Sequence, residues 1–126
     1  MAKYKGQWIY VQHKKRNTWE IPGGHREIDE NINDTASREL FEETGAKLFN
    51  ITPVCIYSVD KDETVDYTES FGQIFYSEVE TLDKLPNYEI KEIKLFNNIS
   101  DDLTYPLIQP FLYKKVLEFC SITQHP

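Results

Sequence analysis

Arg38, Glu39, Glu42 and Glu43 fall within six consecutive residues, RELFEE, and this spacing bears on chemistry before anything else in the chain does. On a helix, positions three and four apart share one sector of the surface, so the three carboxylates face the same way. Like charges at i,i+4 destabilise a helix by roughly 0.2–0.5 kcal/mol, a penalty that a bound cation reverses. Mg²⁺ takes hard oxygen ligands and keeps several waters, so a few carboxylates acting with substrate phosphates suit it. Taken alone, the three glutamates fit a solvated acidic helix face equally well.

The flanking residues supply what a site needs. Pro22-Gly23-Gly24 is a turn whose two glycines let backbone approach a ligand or metal closely. Asn33 or Asp34 is placed to cap a helix, Thr35 to Thr44 form its body, and Gly45 stands where a C′ glycine ends it. Ala36 and Leu40 are the natural core contacts of that helix, and Arg38 pairs with Glu42 one turn on. The unit is loop, helix, loop, with one buried and one charged side.

Gly24, Glu30, Arg38, Glu39, Leu40, Glu42, Glu43, Gly45 and Ala46 together match the Nudix box in register over residues 24–46, with Ala46 smaller than the usual Ile, Leu or Val. Trp19 to Gly24 (WEIPGG) and Glu27 resemble the MutT-like branch of that family. The resemblance implies a single-domain Nudix fold over residues 1–126, an α/β/α sandwich with a mixed sheet. It also implies Mg²⁺-dependent hydrolysis, with Mn²⁺ as a substitute, of a nucleoside diphosphate linked to another moiety. In that scheme Glu39, Glu42 and Glu43 are metal ligands, joined by the Gly23 carbonyl. Arg38 and Glu30 orient them, and Gly24 and Gly45 shape the loop and the helix end. A further acid from outside the box serves as ligand or general base, with Glu89 first and Glu92 second by position before or within the strand Ile90 to Phe96.

Composition narrows the setting. The 126 residues are 40% hydrophobic and 28% charged, enough for one ordinary core, and no apolar run nears the ~20 residues that cross a bilayer. MAKYKGQW lacks the apolar core of a signal peptide, so a cytoplasmic location is expected. Cys55 and Cys120 have no metal-type spacing and read as reduced thiols. The net charge of −7 argues against a surface that coats nucleic acid. An acidic pocket repels a polyphosphate unless cations lie between them, so the charge by itself calls for a metal. His13, Lys14, Lys15, Arg16, His25 and Arg26 are the available positive groups, of which Arg16, His25 and Arg26 are candidate substrate contacts.

The expected elements are strands at Trp8 to Gln12, Val54 to Val59, Phe71 to Val79 and Ile90 to Phe96, with a second helix at Phe111 to Cys120. Pro106 and Pro110 fit only near the start of that helix. Asp60 to Glu69 reads as an acidic, solvated loop. The family resemblance implies a longer first strand than Ala2 to Lys5 supplies, so either the sequence is shortened at its front or that edge of the sheet is reduced. A base slot requires apolar lining, for which Trp8, Trp19, Phe75, Tyr76 and Tyr105 are candidates, and Asn97 or Asn98 has the amide to read a base edge. Lys61 stands where ADP-ribose pyrophosphatases often carry proline, and the tyrosine typical of dinucleoside polyphosphate hydrolases is absent. The lean is toward nucleoside triphosphates, oxidised ones included. ADP-ribose, nucleotide sugars and dinucleoside polyphosphates stand as alternatives, and a non-catalytic nucleotide sensor stands as the other class. A monomer and a homodimer are equally compatible with the sequence.

Overall fold

The computed structural model describes residues 1–24, 26–61, 68–86 and 89–123. The elements run β1 (Ala2–Tyr4), β2 (Gln7–His13), α1 (Ile32–Thr44), β3 (Ala46–Lys61), β4 (Thr68–Leu82), β5 (Ile90–Phe96) and α2 (Gln109–Thr123). Five strands form one mixed sheet in the order β3-β4-β1-β2-β5. β2 is buried on both faces, and period-two alternation sends Trp8 and Tyr10 to one side and Ile9 to the other. On the first side Met1, Ile74 and Tyr76 pack against Leu112, Tyr113, Val116 and Cys120 of α2. On the other, Ala2, Ala46 and Val79 pack against Leu40 of α1. Both helices therefore cover the sheet from opposite faces, as an α/β/α sandwich requires. No described helix is long and apolar enough to cross a membrane.

Three expectations need correction. The first strand is short, but it is no edge. β1 pairs antiparallel with β2 and parallel with β4, through Ala2 to Ser77 and Tyr4 to Val79, so it sits in the middle of the sheet. The hairpin strands β3 and β4 run well past Val54–Val59 and Phe71–Val79. A bulge between Pro53 and Cys55 accommodates the proline, and the backbones of Asp60 and Glu69 pair in the ladder rather than looping out. Asp62, Glu63 and Asp66 lie outside the described residues. Finally, α1 begins at Ile32 and its cap is Asn31, whose side chain accepts from the Asn33 N–H at 2.8 Å, rather than Asn33 or Asp34.

The other end of α1 is as expected. Gly45 adopts φ 80° and donates its N–H to Phe41 O at 2.8 Å, while its own carbonyl accepts from Asp83 N at 2.8 Å. A Cβ there would lie 2.5 Å from the Asp83 carbonyl oxygen. Gly45→Ala combines left-handed strain with a backbone clash and is expected to cost about 2–4 kcal/mol, read from the urea midpoint. Pro110 occupies the first turn of α2, and neither Cys55 nor Cys120 is in a disulfide.

Candidate active site

The loop that carries Glu27 and Glu30 and the acidic face of α1 are held together by one guanidinium. Arg38 donates through Nε and Nη2 to Glu30 at 2.8 and 3.0 Å, and through Nη1 to Glu39 at 2.8 Å and Glu42 at 3.2 Å; Glu27 stands 3.8 Å away. Glu30 also accepts from Thr35 Oγ1 at 2.7 Å and from Glu27 N–H at 3.0 Å. The Arg38 bonds, then these two, pull the Glu30 carboxyl down to about 2, and the Glu30 bond is the main cause that raises Arg38 above its ordinary value. The expected pair of Arg38 with Glu42 is thus present, and Glu30 braces the loop through the same residue.

Gly24 has a different reason to be glycine. A Cβ there would meet the Glu39 carboxyl carbon at 2.2 Å, so any side chain at this position displaces that carboxylate. The neighbouring Gly23 donates its N–H to Glu43 Oε1 at 2.9 Å. Glu43 is only 7% exposed, and burial, reinforced by Glu39, Glu20 and Glu89, pushes its carboxyl up to about 8 against the opposing Gly23 bond. Burial likewise raises Glu39, which Arg38 partly offsets.

Glu39, Glu42, Glu43 and Glu89, with Ile90 behind them, line one cavity of about 140 Å³. Glu89 reaches it because its carbonyl accepts from Lys14 N–H at 3.0 Å, tying the turn after β2 to the start of β5. Glu92 pairs opposite Gln12 on β5 and is exposed outside the cavity. Among the described residues no group of three acidic, His or Cys side chains is already arranged to hold a metal ion. Arg38 and Gly23 explain this, because they engage Glu39, Glu42 and Glu43 in the present conformation.

The candidate substrate contacts divide. Arg16 does not line the cavity; it bonds Glu20 at 3.1 Å and lies 5.8 Å over the Tyr105 ring. His13 Nε2 bonds the other Glu20 oxygen. Glu20 is 5% exposed and its part was not foreseen; a lone acid in WEIPGG, with His13 and Arg16 seven and four residues before it, was the available clue. Arg26 is exposed on the box loop, and His25 lies outside the described residues. Trp19 packs edge-on to Phe96 at 5.8 Å and belongs to the core on the α2 face, as do Trp8 and Tyr76. Asn97 is displaced from the site. It accepts from Gln7 Nε2 at 3.1 Å beyond the far end of β5, which at ~3.3 Å per residue is more than ~20 Å along the strand from Glu89.

Comparison with known proteins agrees with this architecture. YtkD of Bacillus subtilis, provisionally named an 8-oxo-dGTP diphosphatase, is 30% identical over 105 residues, 82% of this chain; the chain spans 63% of that relative's length. The crystal structure of a mutant form of the Bacillus subtilis pyrophosphohydrolase BsRppH superposes with a TM-score of 0.77 at 24% identity, covering 94% of this chain and 78% of that one. The NUDIX domain of Shewanella oneidensis NrtR, solved with ADP ribose, gives 0.65 at 16% identity, covering 90% and 77%. Those two likenesses speak to fold alone. The family model described as NUDIX domain matches residues 3–100, which take in the glycine turn, the acidic face of α1 and the strand that follows Glu89, and the chain therefore belongs to the Nudix family.

Proposed function

We propose that the chain is a divalent-metal-dependent pyrophosphohydrolase whose preferred substrates are nucleoside triphosphates, oxidised ones included, cleaved to monophosphate and pyrophosphate. The observation that carries this reading is the convergence of Glu39, Glu42, Glu43 and Glu89 on one cavity in a protein of net charge −7. The donor set is all carboxylate oxygen, the chemistry that Mg²⁺ and Mn²⁺ favour, and the Glu39 and Glu43 carboxyls, raised by burial, would give up their protons to a bound cation. A bound ion supplies charge neutralisation for the polyphosphate and lowers the pKa of an attacking water.

Glu39, Glu42 and Glu43 would hold the ion, joined by the Gly23 carbonyl. Arg38 and Glu30 fix the angle at which those carboxylates are presented, and Glu89 accepts the proton of the attacking water as the phosphoric anhydride bond breaks. The name of the Bacillus subtilis relative favours the triphosphate class over ADP-ribose, nucleotide sugars and dinucleoside polyphosphates.

The deciding experiment is a hydrolysis screen over those classes with product phosphates identified. Turnover is expected only with Mg²⁺ or Mn²⁺ present, and full activity in excess EDTA would sink the mechanism. Protons compete with the ion for Glu43, so activity at limiting Mg²⁺ rises with pH up to about 8 and then levels. A flat profile from pH 6 to 8 would contradict that assignment.

A further inference from the structure

A second cavity, of about 100 Å³, opens on the α1 face of the sheet. Its walls include Ala36 and Leu40 of α1 with Ile51 and Phe75 of the hairpin, and its polar groups include Gln73 and Ser77. The pleat puts residues 73, 75 and 77 of β4 on one face, and the register sets Ile51 directly beside Ser77. Ser77 is 3% exposed, yet its Oγ has no hydrogen-bond partner among the described residues. A buried hydroxyl without a partner is disfavoured, so one retained at the wall of a cavity points to a group that arrives from outside. Gly23, Gly24 and Glu39 also line this cavity, and Glu39 lines the acidic one as well, so the two meet at the box loop.

We propose that this slot takes the heterocyclic base of the nucleotide whose phosphates meet Glu39, Glu42 and Glu43, with Ser77 Oγ and the Gln73 amide reading the base edge. The proposal rests on the pyrophosphohydrolase reading for the placement of the phosphates. Glu42, Glu43 and Glu89 line only the acidic cavity, so the carboxylates that a cation and its phosphates need are gathered there and the slot is left to the neutral end of the ligand. The walls are mostly apolar, and a hydroxyl and an amide each donate and accept, which matches the mixed edge of a base better than an alkyl chain. An apolar cavity of about 150 Å³ admits benzene, so the present volume takes one edge of a ring and leaves the sugar toward the box loop.

The test is a nuclear magnetic resonance titration of the full ¹⁵N-labelled chain with the four common nucleosides and 8-oxoguanosine, which needs no turnover. Expected are shifts concentrated at Ala36, Leu40, Ile51, Gln73 and Ser77. Ser77→Ala is expected to weaken the best nucleoside about five- to tenfold and to flatten the ranking among bases. Ala36→Leu, which fills the slot, is expected to abolish the shifts with the spectrum otherwise dispersed as in the parent. Shifts centred on Trp19, Phe96 and Leu112, no binding at millimolar nucleoside, or Ser77→Ala within twofold of the parent would each overturn the proposal. Should Ala36→Leu fail to fold, the shift map of the parent and Ser77→Ala still decide. Hydrolysis with the base bound elsewhere removes the slot and leaves the activity. Nucleosides bound in the slot of a chain that cleaves nothing do the reverse.

Discussion

Glu43→Gln is expected to lower turnover about a thousandfold, roughly 4 kcal/mol of transition-state stabilisation, while making the metal-free protein more stable at alkaline pH. The two effects have one origin. Burial holds the Glu43 carboxyl at about 8, far above the ordinary 4.5 of an unfolded chain. Below 4.5 both states carry the proton. Between 4.5 and 8 the unfolded chain releases it and the folded chain does not, so the unfolded state gains and native stability falls as pH rises through this window. Above 8 the folded protein carries a buried carboxylate with the Gly23 N–H as its near partner. Glutamine keeps an oxygen for that N–H and never ionises, so the variant gains about 1–3 kcal/mol over the parent at pH 9 in EDTA and little at pH 5. Glu42→Gln is the control, since it removes a proposed ligand bonded to Arg38 and is expected to lose turnover without the alkaline gain. Thermal melts at pH 5 and 9 read the contrast, and parallel curves for Glu43→Gln and the parent would refute it.

Such a trade suits the cation site proposed above. Arg38 brings positive charge to Glu30, Glu39 and Glu42, which lets an acidic helix face fold. The remaining repulsion is concentrated on Glu39 and Glu43, the carboxyls that burial raises. Stability and function thus compete within a single helical turn.

The parts of this arrangement that were legible in the sequence are the local ones. The box helix and its C′ glycine follow from local spacing, the Glu30 brace follows from the resemblance to the Nudix box, and Ile90–Phe96 is bounded as its apolar pattern implies. The cap was less legible because Asn31, Asn33 and Asp34 all qualify. Thr35 decides among them, with its N–H and hydroxyl both bonding the Asn31 carbonyl while the hydroxyl also bonds Glu30. Non-local choices were invisible. The pairing of Ala2 with Ser77 that makes β1 central joins residues far apart in the chain, and nothing local in AKY specifies a parallel partner. For the same reason Asn97 looked close to the site on sequence order, whereas β5 carries it away, and Ser77 carried no motif that marks it as part of a cavity wall.

Arg38 carries the second large effect, because it joins Glu30 of the loop to Glu39 and Glu42 of the helix. Arg38→Ala removes the bidentate partner of Glu30 and the shared partner of Glu39 and Glu42, leaving these three carboxylates with one cation fewer. Turnover is expected to fall about a hundredfold, the scale seen when groups that orient metal ligands are lost. The Tm falls as well, and its pH dependence identifies the cause. Glu30 is held down to about 2, so its bond with Arg38 contributes stability above the ordinary carboxylate value and loses it as pH falls toward 2. The gap in Tm between parent and Arg38→Ala therefore closes as pH is lowered from about 5 toward 2, and a gap that persists at pH 2 would assign the loss to packing instead. Arg38→Lys separates charge from shape. A lysine restores the positive charge and part of the Tm, yet an ammonium is a point donor and does not reproduce a fork that serves Glu30 on one side and Glu39 with Glu42 on the other. Turnover in Arg38→Lys thus stays near that of Arg38→Ala, and recovery to within a few-fold of the parent would mean that neutralisation alone, not orientation, is what the box requires of this residue.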